Sequence, residues 1–237
     1  MISYKPMSDK PSVRSPWFWV PSLYFAQGIP YVAVMIVSVL MYKRLGVSNT
    51  DIALYTSWLN LPWVIKPFWS PFVDLLKTKR WWVATMQLLI GAGLAGVAFT
   101  IPTTFFFQAS LAVFWLLAFS SATHDIAADG FYMLALDSHE QAFFVGIRST
   151  FYRIAIIAGQ GVLVMFAGFL ENSTGNIPLA WSVTFFILGG LFLALFLYHR
   201  YILPLPKGDK PSATVTPSTI LKEFFATFAS FFKKKQA

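Results

Sequence analysis

The chain predicts an all-α membrane protein, a bundle of six transmembrane helices, and three observations carry that expectation. Hydrophobic residues make up 57% of the 237 residues and charged ones only 12%, about half the charged share of ordinary soluble domains. That much apolar surface needs lipid as part of its solvent. Next, Trp81 to Thr123 runs 43 residues without a Lys, Arg, Asp or Glu. A single helix of that length would measure about 65 Å, roughly twice the hydrocarbon core of a bilayer, so the run crosses twice and turns near Pro102-Thr103-Thr104. Finally, the basic residues stand at the ends of apolar runs instead of along one stripe, where they set membrane orientation and do not suit nucleic acid.

The first span is expected over about Trp17 to Tyr42, interrupted by Pro21 and by Gly28-Ile29-Pro30. It is too long for the apolar region of a signal peptide and no small-residue cleavage site closes it. The second span begins after Asn49-Thr50-Asp51, an N-cap cluster, and ends near Val73, with Lys66 between Pro62 and Pro67. The third and fourth form the uncharged hairpin, about Trp81 to Ile101 and Thr104 to Leu136. The fifth runs from about Phe143 to Leu170, followed by the polar turn Glu171 to Asn176. The sixth covers about Leu179 to Leu203 and stops at Pro204.

Lys5, Lys10, Arg14, Lys77, Lys79, Arg80, Arg200, Lys207 and Lys210 gather on the side of the N-terminus, against Lys43 and Arg44 on the other. Both the N-terminus and the segment after the sixth span are therefore expected in the cytoplasm. The resulting organisation is a cytoplasmic tail (1–16), a six-helix bundle (17–203) and a cytoplasmic linker (204–237). Leu221, Phe224, Phe225, Phe228, Phe231 and Phe232 recur in that linker at helical spacing before Lys233-Lys234-Lys235. This pattern fits an interfacial helix or the entry to a seventh span. The chain has no cysteine, which excludes disulfide and thiolate chemistry.

The polar residues inside the spans carry the functional expectation. His124, Asp125 and Asp129 close the uncharged hairpin, and the two acids, four apart, share a helix face. An ionised acid in lipid costs at least about 2.5 kcal/mol, so they should face protein or a wet cavity and relay or gate a proton or cation. The alternative places them in the interface, paired with Arg148 or Arg153 of the fifth span. Lys66 is a candidate to contact an anionic substrate or to neutralise one of these acids. Gln27 and Tyr31 lie one turn apart beside the Gly28-Pro30 break and are candidates for a lumen-facing role, with Tyr152 and Gln160 also inside their span. Gln87 and Gln108 read as interhelical hydrogen bonds. His199, alone at a helix end, is assigned no chemistry. His124 and Asp129 also spell the H-x-x-x-x-D pattern in which a His base is oriented by an Asp, an acyltransferase alternative. Asp129-Gly130 echoes the start of metal-dependent phosphotransferase motifs whose later paired aspartates are absent. Between the second and third spans, Asp74 precedes the basic cluster Lys77-Thr78-Lys79-Arg80, by default a topology anchor.

At that link the chain resembles the major facilitator superfamily. Asp74 matches the acid of its loop motif and Lys79 and Arg80 its basic positions, with Ser70 where Gly is usual. Three further stretches resemble the AmpG-like muropeptide permeases: Tyr24-Phe25-Ala26-Gln27-Gly28-Ile29-Pro30-Tyr31, Leu61 to Asp74, and Ala122 to Gly130, in which His124 replaces a Gln. Gly146-Ile147-Arg148 and Tyr152-Arg153 are similar to that family's fifth-helix basic motif. The resemblance covers about residues 17–237 and implies the N-terminal half of a twelve-helix transporter of a bacterial inner membrane. It further implies no cofactor other than the proton gradient, and import of muropeptides or related amino-sugar saccharides. Asp125 and Asp129 would then couple or gate protons with His124, Arg148 and Arg153. Gln27, Tyr31, Lys66, Tyr152 and Gln160 would meet the small-molecule substrate, and Asp74, Lys79 and Arg80 would latch the cytoplasmic side. Facilitated passage of another solute, such as a sugar, nucleoside or acyl-CoA, is the alternative. The expected partners are lipids and either a C-terminal half that continues the chain or a second six-helix bundle, because the sequence stops where a seventh helix should enter.

Overall fold

The structure, a computed structural model, describes residues 14–211. Most of the expected tail and the Phe-rich stretch after Leu221 lie outside the described residues. Those described form helices joined by short turns, with no strand among them. Five helices are long and apolar enough to cross a membrane: α1 (Pro16–Arg44), α5 (Lys79–Thr100), α6 (Phe106–Ala135), α7 (Ser138–Thr174) and α8 (Ile177–Ile202).

The expected second span is not one helix. It folds as α2 (Asn49–Thr56), α3 (Leu61–Ile65) and α4 (Ser70–Leu76), with 3₁₀ turns at Ser57–Asn60 and Lys66–Phe68. Pro62, Pro67 and Pro71 each fall in the first turn of a short piece. There the missing N–H costs nothing, whereas a continuous helix would lose a bond and clash at each of them. The segmented stretch nevertheless joins the two ends of the bundle. Leu45 lines a hollow with Pro102 and Asn176, while Thr78 lines one with Arg200 and Asp209. The N-cap of α2 is Ser48, whose Oγ accepts from the Asp51 N–H at 3.1 Å, instead of the Asn-Thr-Asp cluster expected.

α1 is continuous where an interruption was expected. Pro21 sits in the first turn of its α-helical part, which begins at Val20 after a 3₁₀ turn at Pro16–Phe18, and Pro30 is absorbed by a π-helical turn at Ala33–Val37. α7 carries a matching π turn at Gly159–Leu163. The two helices cross closely: a Cβ on Gly28 would stand 2.7 Å from Ala155 Cβ, and one on Gly159 only 2.1 Å from Val32 Cγ1. Inside lipid such small-residue contacts hold helices together, since burial of apolar surface no longer drives association. α7 also starts earlier than expected, on an Asp137–Glu140 capping box, and ends at Gly175, whose φ is 65°.

α5 lies between α6 and α8 and packs along both. At the end bearing Leu45, buried Glu171 accepts from Trp181 Nε1 at 2.7 Å and pairs with Arg44. Glu171 is thus an interhelix tie and not part of a polar turn.

Candidate functional site

Three helical stripes converge inside the basic half of the bundle. Tyr24, Gln27 and Tyr31 recur at i, i+3 and i+7 on α1, as Asp125, Asp129 and Tyr132 do at i, i+4 and i+7 on α6. Arg148 and Tyr152 stand one turn apart on α7. The close α1–α7 crossing brings these stripes together.

Asp125 is the deeper of the two acids, 7% exposed and ten residues, about 15 Å, before the end of α6. Its Oδ2 lies 3.7 Å from Lys66 Nζ, and the Gln27 amide also reaches the carboxylate. The proline-rich stretch that breaks the second span is what turns Lys66 towards it. Trp69 Nε1 donates to Thr123 Oγ1 at 3.2 Å and holds the broken segment on α6. Asp125 Oδ1 and Gln27 Oε1 are buried with no hydrogen-bond partner among the described residues. Tyr152 lies within electrostatic reach of both Asp125 and Tyr31, and Tyr31 packs edge-on against Trp63, ring centroids 5.2 Å apart.

Asp129, one turn on, has a different setting. Tyr24 Oη donates to its Oδ1 at 3.0 Å, and Arg148 Nη1 lies 3.5 Å from the same oxygen. Arg148 also donates to Tyr24 Oη at 3.2 Å and lies over the Tyr24 and Tyr132 rings, 5.0 and 5.1 Å from their centroids. The arginine is thereby held in place by two aromatic faces and a carboxylate.

His124 turns away from both acids. Its Nε2 faces Gln87 Nε2 at 3.1 Å, Gln87 Oε1 faces His199 Nδ1 at 3.0 Å, and His199 Nε2 meets Ser22 Oγ at 2.9 Å. Gln87, His124 and His199 are fully buried. This chain of side chains ties α6, α5, α8 and α1 together, so Gln87 is the interhelical bond expected of it. His199, to which no role was given, is one of its members. The His124–Asp129 acyltransferase pair does not form, because residues five apart on a helix point to different neighbours. Asp129 belongs to Tyr24 and Arg148.

At the basic end Lys79 Nζ donates to Asp74, and the two form an ion pair. Arg80 does not join it; its guanidinium donates to the Arg200 carbonyl. Asp209 accepts the backbone N–H groups of Lys79 at 2.6 Å and Arg80 at 3.0 Å, which caps α5 with a carboxylate.

Two of the expected site residues stand apart. Gln160 and Arg153 are exposed on α7, and Arg153 makes no ion pair among the described residues. Gln108 is exposed on α6 and not an interhelical bond. Conversely, the expected site lacked Tyr24, Gln87, His199 and Asp209. Tyr24 was detectable as the first member of the i, i+3, i+7 stripe. Nothing in the sequence distinguishes His199 or Asp209. Among the described residues no cluster of three His, Asp or Glu could hold a metal ion. A hollow of about 740 Å³ lies at the other end of the bundle, lined by Leu45, Phe99, Pro102 and Phe106, and touches none of the acids.

A helical membrane bundle with a buried aspartate paired to a lysine between its spans is an architecture suited to moving polar solutes through lipid. The BT1 family profile matches residues 25–232, and the chain belongs to that family. Over 229 residues it is 28% identical to the Rickettsia conorii "Putative transporter AmpG 4", covering 91% of this chain and 52% of that protein. It is 24% identical over 223 residues to the Escherichia coli K12 anhydromuropeptide permease, 91% of this chain and 42% of the permease. A Rickettsia felis "Putative transporter AmpG 4" is 26% identical over 228 residues. The chain thus spans about half the length of these curated relatives. Family and relatives support a membrane transporter and not an enzyme. The all-helical fold agrees with half of a major-facilitator-type protein.

Proposed function

We propose that this chain forms the N-terminal bundle of a secondary transporter that imports muropeptides or related amino-sugar saccharides, coupled to protons, across a bacterial inner membrane. The single observation that supports this most is the Lys66–Asp125 pair at the meeting of α1, α6 and the broken segment, a buried carboxylate facing a lysine that is one-third exposed. A buried acid with one unpartnered oxygen can take up a proton at little cost. A lysine on the same carboxylate can exchange it for an anionic solute, which gives proton and substrate a common partner.

In this reading Asp125 carries the coupling proton. Asp129, clamped by Arg148 and Tyr24, gates the cytoplasmic side, while His124 fixes the helix that carries both acids. Gln27, Tyr31, Lys66 and Tyr152 face the solute. The Asp74–Lys79 pair latches the basic end, with Arg80 and Asp209 tying it to the segment after α8. The excess of cations at that end supports a cytoplasmic N-terminus. Exposed Gln160 and Arg153 are left for contact with a second six-helix bundle, which alternating access requires.

Uptake of labelled anhydromuropeptide by cells expressing the intact protein tests the reading. A protonophore should abolish accumulation, and Asp125→Asn should lower it at least about tenfold. Uptake indifferent to the protonophore removes the coupling. Uptake retained by Asp125→Asn removes the residue assignment. Failure of muropeptide to compete with a sugar or nucleoside that is transported would redirect the substrate.

A further inference from the structure

We propose that the basic end carries a site for an anionic phospholipid, with its phosphate held between Arg80 and Arg200 and one acyl chain laid along the groove between α5 and α8. Two hollows meet there, of about 500 and 470 Å³, sharing Arg80, Tyr201, Leu205 and Pro206. Arg200 lines the first, and Arg14 and Lys207 line the second. Among the described residues these four cations meet a single carboxylate at the hollows, Asp209. Its two oxygens are already engaged by the backbone N–H groups of Lys79 and Arg80. Positive charge at this end is therefore in excess, and Arg80 Nε is buried without a hydrogen-bond partner. Orientation rules account for cations at a membrane boundary. They do not account for cations from the N-terminal segment, α5, α8 and the following loop converging on one cleft.

The shape beneath the cations selects lipid over a free anion. The first hollow continues from Arg80 and Arg200 down to Ala84, Leu88 and Phe196. Arg80 to Leu88 is eight residues of helix, about 12 Å, enough for the upper half of an acyl chain. Leu205 and Tyr201, 79% and 71% exposed, form an apolar lip where a glycerol backbone would rest. A soluble phosphate would use the cations and leave that apolar groove unfilled.

The experiment is native mass spectrometry of the intact protein with phosphatidylglycerol and with phosphatidylcholine of the same acyl chains. Phosphatidylglycerol adducts should persist at higher activation energy. Arg80→Gln and Arg200→Gln should each weaken retention about fivefold, in keeping with the attraction of one cation to an anionic headgroup. Lys43→Gln, at the opposite end, should change nothing. Lys207→Gln, in an exposed loop, gives the same test without disturbing a helix. Equal retention of the two lipids overturns the proposal. So does a phosphatidylglycerol affinity insensitive to both Arg80→Gln and Lys207→Gln. Thermal stabilisation by inorganic phosphate that matches that by phosphatidylglycerol would leave a phosphate site only and overturn the lipid assignment.

Discussion

Asp125 and Asp129 are the same residue one helical turn apart, yet they occupy two different chemical settings. The Asp125 side chain is 10% exposed, and its charged neighbour is a lysine 3.7 Å away. The Asp129 side chain is 39% exposed and shares an arginine with a tyrosine hydroxyl. The deeper acid has a flexible point-charge partner and a free lone pair. The shallower acid has a planar guanidinium fixed by two rings. A group meant to exchange protons or ligands suits the first setting, and a group meant to hold helices in register suits the second. The contrast arises in the helices around α6, because α1 offers Gln27 at one level and Tyr24 at the other.

Lys66→Met should break the contrast most. It strands a buried carboxylate, and removal of one partner of a buried pair costs about 3–5 kcal/mol; with Lys66 one-third exposed, the low end is expected. Denaturant unfolding in detergent measures it, and adding Asp125→Asn should restore most of the loss. A Lys66→Met variant as stable as the parent would show that the pair is not closed in the membrane. Gly159→Ala acts on both settings together. Its Cβ would collide with Val32 and force α1 from α7, at about 1–3 kcal/mol. The Tyr24–Arg148 and Gln27–Asp125 contacts should loosen in step, seen as faster hydrogen exchange along both helices. Arg148→Lys isolates the shallower centre: losing the stacking on Tyr24 and Tyr132 should cost about 1 kcal/mol and leave the chemistry at Asp125 unchanged. Asp129→Asn should be smallest, below about 1 kcal/mol, since a half-exposed pair contributes little and the amide oxygen can still accept from Tyr24. If Asp129→Asn proves costlier than Lys66→Met, the assignment of the two settings is reversed.

Much of this arrangement could be read before any coordinates. The spacing of Asp125 and Asp129, the position of Lys66 between prolines, and the pairing of Gln27 with Tyr31 singled out five side chains that the structure gathers in one region. Lys66 as a neutralising partner for one of the acids of the fourth span was a sequence expectation. The breakage of the second span was not, although its prolines were in view: apolar length alone suggested a continuous helix, and each proline instead opened a new short one. Gln160 and Arg153 failed because periodicity assigns a residue to a face but not to a neighbour. His124 failed as a partner of Asp129 for the same reason, since its direction was set by Gln87 and His199, from 37 and 75 positions away in the chain.

By itself the sequence determined that the chain is built of apolar helices that need lipid, where the charges lie at their ends, and that the acids of the uncharged hairpin must be sheltered or paired. These follow from hydropathy and from the 3.6-residue repeat, both local properties. Only the tertiary structure decided which sheltered group meets which. It set Lys66 on Asp125, Arg148 on Asp129 and His199 into a chain with His124, and it drew Arg80 and Arg200 to one cleft. Those choices depend on how closely helices cross, and that is fixed by contacts such as Gly28 on Ala155 and Gly159 on Val32. These contacts join residues over a hundred positions apart, beyond the reach of any local pattern.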